Sequence, residues 1–203
     1  MDPEKLSALQ IDALGEVGSI GAGHAATALS QLMGTAVTIE VPSVRLIPVA
    51  EVPAVFGGPE NLVGAVLSRL LGDLGGGLLF IISRESLLAL ADVLRSWTPG
   101  TSKSLGADEE ALVTNAASVL QSAYLSAVGR FAGLSVLPSA PSFAFDMIGA
   151  ILEVVATELE PGAETAILVT TRFKTADVAV DAALFYLPDL DSLDVILGRL
   201  GIA

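Results

Sequence analysis

Gly34-Thr35-Ala36-Val37-Thr38-Ile39 ends a long run of small and apolar residues that begins near residue 6. Gly133-Leu134-Ser135-Val136-Leu137 ends a second such run, from about residue 108, and the two glycines lie 99 positions apart. Pro42 and Pro141 fall at the same offset. A helical run, a glycine stop and a β-branched stretch, met twice at one spacing, predict an internal duplication. Downstream, Leu62 to Leu71 and Thr165 to Phe173 read as strands, and Gly75 to Ile82 pairs with Val178 to Leu187 through the shared Leu79-Phe80 and Leu184-Phe185. Each half closes on a helix, Glu85 to Leu94 and Asp191 to Leu200, both opening on an acid and a serine. Neighbouring strands with no long crossover between them favour antiparallel pairing. The expectation is an α+β fold, one domain of 1–203 with a pseudo-two-fold axis. Two long helices pack together on a mostly antiparallel sheet. The repeats span about 1–98 and 108–203, joined by the Gly/Ser/Thr-rich linker 98–107.

Composition narrows the chemistry. The chain has 203 residues, 52% of them hydrophobic, and a formal charge of -13. That surface repels a nucleic-acid backbone. No cysteine is present, so thiolate metal sites, thiol nucleophiles and disulfides are excluded, and a cytoplasmic location is expected. One histidine, His24, rules out a multi-histidine metal centre within the chain. Val17 to Ile39 carries no Asp, Glu, Lys or Arg and is long enough to span a bilayer, but Gly34 splits it and no basic cluster flanks it. No membrane span is expected, and the N-terminus lacks a signal peptide's basic start.

The polar residues of the first helix carry the functional signal. Asp12, Glu16, Ser19 and Gly23 are spaced four, three and four apart, which keeps them within about 60° of one another on one helix face. Leu14, Gly18, Gly21, Ala25, Ala28 and Leu32 form a second stripe of mostly small residues, suited to close helix packing. His24 lies about 140° around the helix from Ser19, so the two do not form a catalytic pair.

The string Asp12-x3-Glu16-x2-Ser19-x22-Pro42, set in Gly15-Glu16-Val17-Gly18-Ser19-Ile20-Gly21-Ala22-Gly23-His24, resembles the CheC/CheX/FliY phosphatases and is closest to CheC. The resemblance covers essentially the whole chain. It implies a chemotaxis protein that hydrolyses the aspartyl phosphate of the response regulator CheY. Glu16 would engage the regulator and the residue at position 19 would hold the attacking water, with Asp12 beside them. No cofactor of the protein's own is implied, since the divalent metal sits on the regulator. The chain departs from the family at Ser19, where the motif has Asn. A hydroxyl is shorter than a carboxamide by roughly 1–2 Å, and a misplacement of about 1 Å costs about 10²-fold, so weak or impaired activity is expected. The alternative is a non-catalytic adaptor that binds CheY or CheD without hydrolysis.

At offset 99 the motif positions become Ala111, Asn115, Ser118 and Pro141, a degenerate second site. A rival register, Asp108-x3-Leu112-x2-Asn115-x22-Pro138, keeps an Asn but breaks the Gly34–Gly133 match. After Pro141, Phe143 to Glu153 reads as an apolar helix with a lone acid, Asp146. The resemblance implies that this segment docks the protein CheD through Asp146, Phe145 and Met147. The corresponding stretch of the first half holds Pro48, Pro53 and Pro59 and predicts no long helix.

Overall fold

The computed structural model describes residues 6–40, 44–159, 165–174, 179–189 and 191–202. The first long helix, α1, runs Ala8–Met33. Ser7 caps it: its hydroxyl accepts from the Gln10 backbone N–H, and the Gln10 side chain accepts from the Ser7 N–H at 2.9 Å. This reciprocal box satisfies two of the orphan donors of a helix start. Gly34 ends the helix at φ 65°, a left-handed conformation that glycine adopts without a Cβ penalty. The second long helix, α4 (Ala107–Ala132), repeats the plan. Glu109 accepts from the Gly106 N–H at 2.9 Å, and Gly133 stops the helix at φ 67°. Both helices have 26 residues, so they match from first residue to capping glycine at an offset of 99.

The strands are β1 (Thr38–Glu40), β2 (Val44–Pro48), β3 (Leu62–Gly72), β4 (Gly77–Ser83), β5 (Val136–Pro138), β6 (Ser142–Met147), β7 (Thr165–Lys174) and β8 (Ala179–Leu187). They form one antiparallel sheet in the order β1-β7-β8-β4-β3-β5, with β2 also on β7 and β6 also on β3. The short strands therefore cross over: those after α1 pair with β7, and those after α4 pair with β3. At the centre, Leu79 faces Phe185 and Phe80 faces Leu184 across β4 and β8. The two Leu-Phe pairs thus meet around a local two-fold.

Strand alternation gives the sheet two buried faces. Val66, Leu70, Leu78, Phe80, Ile82, Leu184 and Tyr186 point toward α1, α4, α3 (Arg84–Leu94) and α6 (Ser192–Arg199). Val63, Ala65, Leu67, Leu79, Ile81 and Phe185 point the other way, toward α5 (Ile148–Glu158) and the short α2 (Val52–Val55). On the helix side, Gln121 is fully buried yet satisfied. It accepts from the Ser68 hydroxyl at 2.7 Å and donates to the Val66 and Leu78 carbonyls, each at 3.0 Å.

Close approach of α1 and α4 explains the small residues. A Cβ on Gly21 would lie 2.5 Å from the Tyr124 ring, so only glycine admits that ring. Leu14, Gly18, Gly21 and Ala25 are buried as the stripe predicts. The buried face also takes in Val17, Ala22 and Leu29, and Leu32 stays exposed.

Candidate functional site

On α1, Asp12, Glu16, Ser19, Gly23 and Thr27 are all exposed, in line along the outer face. The opposite face is locked into the core by Leu14, Val17 and Gly21, so the helix cannot roll and the stripe is held outward. The Ser19 hydroxyl donates back to the Gly15 carbonyl at 2.9 Å, one turn earlier. That bond occupies its only hydrogen and leaves its lone pairs toward solvent. Thr27 makes the same bond to the Gly23 carbonyl at 3.1 Å. Neither carboxylate, Asp12 or Glu16, has a hydrogen-bond or ion-pair partner among the described residues. Two unpaired acids and an acceptor oxygen on a rigid face suit capture of a cationic side chain and orientation of a water. Pro42, the last motif position, lies outside the described residues. His24 is exposed, away from the stripe.

On α4 the equivalent positions carry no charge. Ala111 and Asn115 are exposed, and Ser118 is half-buried with its hydroxyl donated to the Thr114 carbonyl at 2.7 Å. The acids of this helix lie in its first turn instead. There Asp108 and Glu109 bind Arg95, which also lies over the Trp97 ring, 4.8 Å from its centroid. The Arg95 guanidinium holds the Glu109 carboxyl below its ordinary range.

The segment after Pro141 corrects the sequence reading. Residues 143–147 are not helical: Ser142–Met147 is strand β6, and the helix begins only at Ile148. Phe143 and Phe145 recur at spacing two and are half-buried on the helix side of the sheet, while the strand pairs with β3 from Leu62↔Met147 to Leu67↔Ser142. An apolar run this short has no helical period, and pairing to β3 decides its conformation. The consequence for the site is direct. Asp146 and Met147 are exposed and Phe145 is half-buried, and strand alternation turns both Phe145 and Met147 to the opposite side from Asp146. One Asp146 oxygen accepts from the Met147 N–H at 2.7 Å. Beside Asp146, a cleft of about 240 Å³ opens between β3, β4, β6 and α5, which the sequence did not reveal because elements distant in the chain build it. Among the described residues, no group of three or more His, Asp or Glu side chains is placed to hold a metal ion. One described helix, α4, is long and apolar enough to cross a membrane, and half of that window is buried in the fold.

The CheC-like family matches residues 9–45, the part of the chain that holds the α1 stripe. The CheY-P phosphatase CheC of Bacillus subtilis strain 168 is 32% identical over 196 residues, covering 95% of this chain and 94% of that protein. The crystal structure of Thermotoga maritima FliY shares the fold, with a TM-score of 0.80 at 17% identity over 97% of this chain and 98% of that one. A chain of the Borrelia burgdorferi CheX–CheY–BeF3–Mg2+ complex matches at a TM-score of 0.53 and 12% identity, over 88% of this chain and 99% of that one. With a relative this similar over nearly its whole length, the chain belongs to the CheC-like family of chemotaxis proteins.

Proposed function

We propose that the protein dephosphorylates a phosphorylated CheY through the outer face of α1. The observation that carries this reading is the exposed line Asp12–Glu16–Ser19, its two carboxylates without a partner among the described residues, on a helix whose other face is fixed in the core. Glu16 pairs with a basic side chain of the regulator, and Asp12 adds to the attraction. Ser19 accepts a hydrogen bond from a water and turns the water's lone pair toward phosphorus. That water oxygen bonds to phosphorus as the bond from phosphorus to the aspartyl oxygen breaks, giving inorganic phosphate and a free carboxylate. Phosphoryl transfer of this kind rests on positioning and electrostatics, which a docked helix can supply. The divalent metal belongs to the regulator's phosphorylation site, and this chain contributes no ligand to it. A relative that acts on CheY-P and a structural neighbour seen with CheY both support the choice of substrate.

The same reading gives the chain a second partner, CheD, held by Asp146 and Met147 at the end of β6. It also makes the chain a single domain of two repeats, about 1–98 and 108–203, supported by the matched helices α1 and α4 and their capping glycines. Asn115 and Ser118 form a degenerate second face. The protein acts in the cytoplasm, where its substrate is. The alternative, an adaptor that binds without hydrolysis, differs only in what Ser19 does.

The test is loss of phosphate from phospho-CheY with and without the protein. Glu16→Ala abolishes the added hydrolysis and weakens binding of phospho-CheY, with little change in melting temperature because the residue is exposed. Hydrolysis at the wild-type rate in this variant overturns the proposal, and binding without any hydrolysis by the wild type selects the adaptor. Asp146→Asn weakens CheD binding more than tenfold and leaves hydrolysis unchanged, because a charge removed from a buried interface strands its partner at a cost of about 2–5 kcal/mol. Wild-type CheD affinity in that variant removes β6 from the interface.

A further inference from the structure

The cleft between α5 and the underside of β3, β4 and β6 measures about 240 Å³, and the reaction at α1 does not use it. Its floor is Ala65, Leu67 and Leu79, and its α5 wall is Ile151, Val154 and Val155. Val154 is 56% exposed, so the apolar lining opens to solvent. The volume lies below the roughly 300 Å³ at which small-molecule and cofactor sites begin, and it suits one or two side chains.

Both ends of the cleft are acidic. Asp146 stands two residues before α5, and Glu158 is the last residue of that helix. An 11-residue helix is about 16 Å long, so the two carboxylates bracket the apolar floor at roughly that separation. One oxygen of Asp146 takes the Met147 N–H, whereas Glu158 has no partner among the described residues. An apolar trough with an acid at each end, on a chain of net charge -13, is complementary to a basic and apolar segment and repels an acidic one.

We propose that this trough docks a segment of a protein partner in which one apolar side chain lies between two basic residues four positions apart. In extended form, four residues span about 13 Å, and the long basic side chains cover the remaining distance. The apolar side chain rests on Leu67 and Val154, one cation meets Asp146, and the other meets Glu158. The proposal shares Asp146 with the CheD reading but does not depend on CheD.

The probe is the peptide Ac-KALAK-amide, titrated into the isotope-labelled full-length protein by NMR. Its expected effect is a set of shifts confined to β6 and α5, centred on Ala144, Ile151 and Val155. Ac-EALAE-amide and Ac-KASAK-amide produce no such shifts at the same concentration. Asp146→Asn with Glu158→Gln, both exposed and compatible with folding, weakens the probe at least tenfold, and so does about 0.5 M salt, which screens exposed charges. No shifts up to about 10 mM probe, shifts elsewhere, or equal shifts with Ac-KASAK-amide overturn the proposal. A parallel CheD titration separates the two readings. Probe binding with CheD affinity insensitive to Asp146 sinks only the CheD reading, and CheD binding that needs Asp146 without probe binding sinks only this one.

Discussion

Ser19 sets the chemical ceiling of the proposed reaction. Its hydroxyl hydrogen is committed to the Gly15 carbonyl at 2.9 Å, so toward solvent it offers acceptor capacity alone. A carboxamide at this position reaches further and both donates and accepts, so it grips a water from two directions. Ser19→Asn is therefore expected to raise hydrolysis of phospho-CheY at least about tenfold, with binding nearly unchanged. The site is exposed, so stability moves within about 0.5 kcal/mol. A single-turnover assay at saturating protein separates the two effects, and an unchanged rate constant in the Asn variant assigns the limit to helix placement instead. This residue was legible in the sequence as a spacing of four and three on a helix. The direction of its hydroxyl was not, because the bond depends on a rotamer that only the built helix shows.

At the scale of elements, the sequence revealed most boundaries and missed two short strands, β2 and β6. The long helices and the four long strands have strong periodic or β-branched signals and clear glycine stops, so their limits were readable to within a few residues. Segment 142–147 was not, because Phe143-Ala144-Phe145 gains its strand identity from β3, some 80 residues away in sequence, an example of tertiary pairing overriding a short local pattern. The linker between halves was likewise readable only as a loop. Its order comes from Asp92, a buried carboxylate at the end of α3 that accepts from the backbone N–H groups of Gly100, Thr101 and Ser102 and from the Ser102 hydroxyl. Burial raises the Asp92 pKa, but these hydrogen bonds together outweigh it and hold the carboxyl below its ordinary value of 3.8. A depressed folded-state pKa contributes stability that is present above the unfolded value and lost as pH falls through the folded one. Acidification below pH 3.8 should therefore progressively weaken the hold on the linker, and Asp92→Asn should lower the melting temperature at pH 7 while flattening its fall in acid. Fluorescence of Trp97, the only tryptophan and a neighbour of this turn, reports the transition. A wild-type acid profile in the variant would assign the acid sensitivity to other carboxylates.

Across the whole molecule, one fold presents two helix faces of unequal chemistry. The crossed pairing of short strands ties each half to the other's long strand, and the core is continuous from α1 through α4 to α6, so neither half is built to stand alone. Both α1 and α4 are held with one side outward by the same close packing at Gly21 and Tyr124. Yet the α1 face carries Asp12 and Glu16 where the α4 face carries Ala111 and Asn115. At the surface a charge-assisted contact contributes more than a neutral hydrogen bond, and it also steers association. The α4 face lacks that contribution, so the chain should bind one phosphorylated regulator, not two, as read by native mass spectrometry or calorimetry with a beryllofluoride-activated CheY. Glu16→Ala should remove that single site without exposing another. Replacing Asn115→Glu and Ser118→Asn together restores the acid and the amide on α4, and should raise the stoichiometry toward two. Two regulators bound to the wild-type chain would mean that shape rather than the Glu16 carboxylate selects the partner, and the functional asymmetry drawn between the two helices would then be wrong.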